Sequence, residues 1–247
     1  MVDDVPIADL LIKPFKRERF ELAVDRGRQW RQRTLADGAW HAHLVRALAR
    51  GIEEVRTIVA IRRARAVDDE HVLVELIGER TPDVLAHSDR VARYSVSIAQ
   101  ELKLDPAMIP LAGRAARLHD LGKIAMPQSL LAKPSPMTDG EIDVMRRHAD
   151  AGAEILGDTT LRDLAPVVRS THEWFGGGGY PARLAGARIP FLSRVIAVAD
   201  AYDAMTQSRA YRHQLDAGEA VNELLRCSTS QFDPAVVVAF LTVLGRQ

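Results

Sequence analysis

From Thr81 to the end of the chain, one helical pattern follows another with only short loops between them. No stretch after Pro14 alternates like a strand. A helix with one apolar stripe must bury that stripe against another element, and here the only partners are other helices. Residues 78–247 are therefore expected to form an all-α bundle. Its boundaries can be read in order. Thr81-Pro82-Asp83 has the residues of a helix start: a capping Thr, a Pro at the first helical position and a carboxylate in the first turn. That helix runs through His87 and Val91 to about Leu104. Asp105-Pro106 opens the next, which ends near Leu118-His119-Asp120. Thr138-Asp139-Gly140-Glu141 opens another, carrying His148 in its middle and reaching about Leu156. A further helix leads into Ser170-Thr171-His172. Gly176-Gly177-Gly178-Gly179-Tyr180-Pro181 is a loop. Ile189-Pro190 precedes an apolar helix from Phe191 to Met205. Helices near Ala217–Leu225 and Pro234–Leu244 complete the pattern.

The first part of the chain reads differently. Ile7 to Ile12 is a short apolar run, followed by Lys13-Pro14-Phe15 and an amphipathic helix from Arg17 to Trp30. This βα unit, residues 1–33, cannot bury its own faces and is not a domain. Residues 34–77 read as a long, mostly helical connector. Leu44, Leu48, Ile52, Val55, Ile58 and Ile61 recur at three and four. That stripe suits a homodimer seam of about three heptads, the shortest length that supports one. It suits equally a helix packed on its own domain.

Several classes are excluded by composition. With 33 basic and 33 acidic side chains the formal charge is zero, which gives no bulk attraction to polymeric nucleic acid or an anionic membrane. No apolar run approaches the roughly 20 residues of a membrane span. The acidic start, Met1-Val2-Asp3-Asp4, is unlike a secretory leader. Cys227 is the sole cysteine, which rules out an internal disulfide and suits a reducing compartment. The expectation is a cytoplasmic protein.

Chemistry is concentrated in a few positions. Of eight His, four occupy informative places: His87 inside a helix, His119 at a helix end, His148 and His172. Asp120 follows His119 directly, and Asp200 directly follows the apolar run Val195 to Ala199. A carboxylate there is costly to bury unless paired or bound to metal. Imidazole and carboxylate together suit a divalent transition metal. Lys is scarce, at five residues against 28 Arg, so Lys123 close to the His-Asp pair stands out.

These residues, with His119-Asp120-Leu121-Gly122-Lys123, Lys133-Pro134, His172-Glu173, Gly179-Tyr180-Pro181, Val198-Ala199-Asp200 and Arg209-Ala210-Tyr211-Arg212, resemble the HD superfamily of metal-dependent phosphohydrolases, and within it the HD-GYP branch. The resemblance covers about Leu76 to Leu244. It implies an HD-type helical bundle and a phosphodiesterase that opens cyclic di-GMP to linear pGpG or GMP. It implies divalent metal ions, iron or manganese. One would be held by His87, His119, Asp120 and Asp200. Asp120 would bridge to a second, held by His148 and His172. Lys123 would hold a phosphate oxygen or assist the leaving group. Gly179 and Tyr180 would form a substrate wall, Arg209 and Arg212 would meet the phosphates, and Asp203 and Glu173 would support the ligands from behind. Asp83, four residues before His87 on the same helix face, suits either a further metal or simply the helix start.

The chain departs from the branch at two positions. Where the family has His-His-Glu-x-x-Asp-Gly-x-Gly-Tyr-Pro, this chain has Thr171 for the first His and Gly176 for the Asp. The second metal site thereby loses a nitrogen ligand, and Gly176 is expected to loosen the loop. Two readings follow: an active, slowed enzyme, or a module that binds cyclic di-GMP or signalling proteins without turnover. The βα start resembles the last strand and helix of a response-regulator receiver domain, with Lys13-Pro14 at the matching turn. The phospho-accepting Asp and acidic pair of that family have no counterpart in the chain.

Overall fold

The structure is a computed structural model that describes residues 51, 57, 59–61, 70–79, 81, 84–207 and 214–246. The βα start, most of the connector, Asp83, Arg209 and Arg212 lie outside these residues. The helices in chain order are α1 (Glu70–Gly78), α2 (Val84–Glu101), α3 (Met108–Leu118), α4 (Gln128–Leu131), α5 (Asp139–Arg146), α6 (His148–Gly157), α7 (Ala165–Arg169), α8 (Phe191–Thr206), α9 (Ala217–Arg226) and α10 (Pro234–Leu244). A 3-10 helix at Leu121–Ala125 joins α3 to α4. Among the described residues there is no sheet, only an isolated bridge between Ser228 and Phe232.

Two helices organise the bundle. α2 buries Val84, Ser88, Val91, Ala92, Ser95, Ile98 and Ala99, one face at helical spacing. α8 buries residues around most of its circumference, from Leu192 through Met205, and is the central element. α2 packs on α3, α8 and α10, while α6 packs on the 3-10 helix and α7. Leu73, Val74, Leu76 and Ile77 of α1 join the same core.

Local signals explain most ends. Thr138 with Glu141 and Asp216 with Glu219 form reciprocal capping boxes. The Asp233 side chain accepts from Ala235 N–H, with Pro234 at the first helical position. At the start of α2 the expectation differs from the structure. The Thr81 hydroxyl, expected to cap the helix, is buried without a hydrogen-bond partner, while Pro82 and Asp83 lie outside the described residues.

The helix expected from Thr138 to Leu156 is two helices that meet at Arg147. His148 is therefore the first residue of α6 and not mid-helix. The physical reason is in its own ring: Nδ1 lies 2.6 Å from the Met145 carbonyl oxygen and takes up an acceptor that a continuous helix would use internally. No described helix is long and apolar enough to cross a membrane.

Candidate metal centre

Helix ends and facing helix turns bring six ligand-type side chains together. His119 caps the end of α3 and Asp120 starts the 3-10 helix. His87 comes from α2, Asp200 from α8, His148 from the start of α6, and His172 from the turn after α7. They form two clusters, His87 with His119 and Asp200, and Asp120 with His148 and His172. The ligand atoms of each cluster lie within 4.8 Å of one another.

Asp120 faces both clusters through different oxygens. Its Oδ2 is 3.4 Å from His119 Nε2 and 3.9 Å from His87 Nε2. Its Oδ1 is 3.7 Å from His148 Nε2. His87 Nε2 also lies 3.3 Å from Asp200 Oδ1, and His148 Nε2 lies 2.8 Å from His172 Nε2.

The tautomers follow from the other ring nitrogens. His119 Nδ1 meets the Ala116 carbonyl at 2.7 Å, and His148 Nδ1 meets that of Met145. A carbonyl only accepts, so both Nδ1 atoms donate. His87 Nδ1 donates likewise to the Asp203 carboxylate at 2.7 Å. With Nδ1 engaged in this way, the three rings direct Nε2, the atom that would ligate a cation, toward the Asp120 and Asp200 carboxylates. Convergent lone pairs and anionic oxygens suit a divalent transition metal, so the residues present fit such ions.

The electrostatics agree with a cation-seeking site. Burial opposes charge on Asp120, but His119, Lys123, His148 and His87 outweigh it and hold the carboxyl well below the usual range. Burial likewise opposes charge on Asp200, yet the hydrogen bond from His87 and the charge of His119 hold it low. Burial also works against a charged His87. Hydrogen bonds to Asp200 and Asp203 outweigh that penalty and raise it to about 9. His172 goes the other way: burial and the neighbouring His148 push it down to about 3.

The remaining residues surround this pair of clusters. Lys123 Nζ donates to Asp120 Oδ2 at 2.6 Å and is partly exposed. The Tyr180 ring stacks on His172 with centroids 5.0 Å apart and planes 15° apart. Burial pushes the Tyr180 phenol up, and Asp120 and Asp200 add to the effect. Glu173 is buried and accepts from Ala182 N–H at 2.6 Å and Leu184 N–H at 2.9 Å, so it holds the segment after Tyr180-Pro181. Gly179 is required by packing. A Cβ there would lie 2.2 Å from Trp174 N and 2.5 Å from His172 O.

Both departures from the family pattern have a structural setting. The Thr171 hydroxyl is buried and donates to the Val168 carbonyl at 3.0 Å. Gly176 does not loosen the loop as expected. Its N–H donates to Ser230 O at 2.8 Å, Phe175 N–H donates to Gln231 O at 3.0 Å, and a Cβ at Gly176 would lie 2.9 Å from Ser230 O. Glycine is what allows the loop to close on that segment.

Sequence reasoning overlooked Arg90. Its Nε donates to Asp203 Oδ1 at 2.5 Å and its Nη2 to Oδ2 at 3.0 Å. A usable signal existed, since Arg90 follows His87 by three residues, as Asp203 follows Asp200.

A helical bundle with two imidazole and carboxylate clusters joined through one aspartate is the architecture of a helical metalloprotein. The chain belongs to the HD-domain family, whose pattern it matches over residues 71–236. It is 37% identical over 187 residues to a cyclic di-GMP phosphodiesterase of Vibrio cholerae, covering 69% of this chain and 38% of that protein. It is 30% identical over 240 residues to the cyclic di-GMP phosphodiesterase response regulator RpfG of Xanthomonas campestris, covering 95% of this chain and 61% of that protein. The chain thus spans about two fifths to three fifths of the length of these curated relatives. Among solved structures it resembles Bd1817, a HDG"Y"P protein from Bdellovibrio bacteriovorus, with TM-score 0.55, 18% identity, and coverage of 76% of this chain and 62% of that one. At that identity the likeness shows the fold alone.

Proposed function

We propose that the chain is a metal-dependent phosphodiesterase of the HD-GYP branch that hydrolyses cyclic di-GMP to linear pGpG, GMP or both. The observation that carries this reading is Asp120, whose two oxygens face two separate ligand clusters while Lys123 donates to it from the open side. The names of relatives at 30–37% identity support the substrate, and Gly179-Tyr180-Pro181 supports the branch.

His87, His119, Asp120 and Asp200 would hold one cation, and Asp120, His148 and His172 the second, with iron or manganese the proposed metals. When bound, two such cations supply Lewis-acid charge for the phosphodiester and lower the pKa of the attacking water. The chain's own groups do the rest. Lys123 donates to a phosphate oxygen or to the departing ribose oxygen. Tyr180, seated on His172, forms a wall against a guanine. Arg209 and Arg212 neutralise the phosphates, and Asp83 remains a proposed contributor to a further cation. Glu173 keeps the wall in place through the Ala182 and Leu184 amides.

A second reading, a module that binds cyclic di-GMP or signalling partners without turnover, is favoured by one observation: the second cluster has three ligand-type residues, Asp120, His148 and His172, with Thr171 in place of a further imidazole. The domain division at 33 and 77, a homodimer through the connector and a cytoplasmic site of action belong to the same proposal. The receiver-like start is supported by the alignment with RpfG, which leaves only about a twentieth of this chain uncovered.

The test is direct. Purified protein with Mn²⁺ or Fe²⁺ is incubated with cyclic di-GMP and, in parallel, 3'3'-cGAMP, the substrate class named for other relatives. Products are separated by chromatography. Linear product above an Asp120→Ala control supports the enzyme; none from either nucleotide, with binding retained, supports the second reading.

A further inference from the structure

We infer that Arg90 is a positioning residue for the first metal cluster, acting through Asp203 to aim the His87 ring. His87 and Arg90 are three residues apart on α2, and Asp200 and Asp203 are three apart on α8. The two pairs face each other across the helix contact. His87 Nε2 lies 3.3 Å from Asp200 Oδ1, and its Nδ1 donates to Asp203 Oδ2 at 2.7 Å. Arg90 grips the same Asp203 carboxylate at both oxygens, at 2.5 and 3.0 Å.

The two-point grip matters because of what a lone His87–Asp203 bond leaves free. A carboxylate held by one donor rotates about its terminal torsion, which is broad and roughly two-fold. A planar guanidinium fixes the carboxylate plane as well as its position. The plane then fixes where His87 Nδ1 must point, and the rigid ring transmits that direction to Nε2. Asp203 is 1% exposed, and its carboxylate takes its hydrogen bonds from His87 and Arg90.

Mn²⁺ affinity tests this without any nucleotide. The inference rests on His87, His119 and Asp200 as ligands, and not on the choice of substrate. Mn²⁺ is titrated calorimetrically in a His172→Ala background, where the first cluster alone keeps its full set of ligands. Arg90→Met is expected to weaken Mn²⁺ binding roughly ten-fold, the lower end for loss of a group behind a metal ligand. Arg90→Lys, which keeps the charge and loses the fork, is expected to fall between Met and wild type. Arg194→Met is the control for a purely structural ion pair. Arg194 lies on α8, as Asp203 does, and bonds Asp233 at 2.5 Å, so its loss lowers the melting temperature and leaves Mn²⁺ affinity unchanged. Arg90→Met with a lowered melting temperature and wild-type affinity would overturn the inference. If Arg90→Met does not fold, wild-type affinity in Arg90→Lys overturns it equally. An unsubstituted Arg90 protein that binds no Mn²⁺ would overturn both this inference and the metal reading, whereas Mn²⁺ binding without hydrolysis would refute the proposed activity alone.

Discussion

Gly122→Ala is the substitution with the most to say about how the two clusters are held together. Gly122 lies two residues after Asp120, and its α-carbon faces the start of α6. A Cβ there would lie 1.8 Å from the His148 carbonyl oxygen and 2.6 Å from Gly152 N. Gly152 has the reciprocal contact, with its own Cβ position 3.0 Å from Gly122 N. Both sides are backbone, so no side chain can swing away. Moving the oxygen out to 3.0 Å requires a separation of roughly 1.2 Å. Overpacking of this kind costs about 1–3 kcal/mol, and backbone on both sides places it near 3. The lost flexibility of the unfolded chain offsets about 0.4–1 kcal/mol of that. A net loss of about 2 kcal/mol lowers Tm by about 4–8 °C in a domain of this size. The effect on metal is larger than the effect on stability. Asp120 Oδ1 and His148 Nε2 are 3.7 Å apart. Two ligands of one ion with bonds near 2.1 Å can be at most about 4.2 Å apart. Carrying the displacement through would exceed that limit. The expected result is loss of one metal per chain together with the lower Tm, read by elemental analysis and calorimetry. A variant melting within about 2 °C of wild type, with unchanged metal content, would refute the argument.

Two further outcomes are expected. In chelator-treated protein, His87 at about 9 is raised above its unfolded 6.5, so the stability it contributes is complete below pH 6.5 and is lost as pH rises through 9. His172 at about 3 is depressed, so its contribution is complete above 6.5 and is lost as pH falls toward 3. Urea melts should therefore show greatest stability near pH 6.5, and a monotonic rise from pH 6.5 to 9 would contradict the His87 assignment. Thr171→His should raise metal content and hydrolysis rate, after the loss of the hydroxyl bond to Val168, worth about 1 kcal/mol. Unchanged metal content would remove the proposed link between Thr171 and a weakened second metal site.

Local chemistry made much of the fold legible. Pro234 after Asp233, the Thr138–Glu141 box and the stripe of α2 act over a few residues, and the sequence carries them in full. The break at Arg147 was not legible, because it depends on which acceptor the His148 ring selects, and either helix geometry leaves the same residues in the same order. The reading of Gly176 as slack failed for a related reason. Freedom of a glycine is a property of an isolated chain, and Ser230 and Gln231 arrive from more than fifty residues away to remove it.

The candidate ligands were legible because imidazoles at helix ends and a carboxylate in an apolar helix are unusual enough to need a reason. By itself the sequence determined most of the helix order and the candidate ligand types, both of which follow from residue type and spacing within single turns. Only the tertiary structure decided that the two oxygens of Asp120 face different clusters and that Arg90 holds Asp203 behind His87. Those relations join segments as far as 116 residues apart. They are set by how closely α2, α8 and the start of α6 approach, which no local pattern encodes.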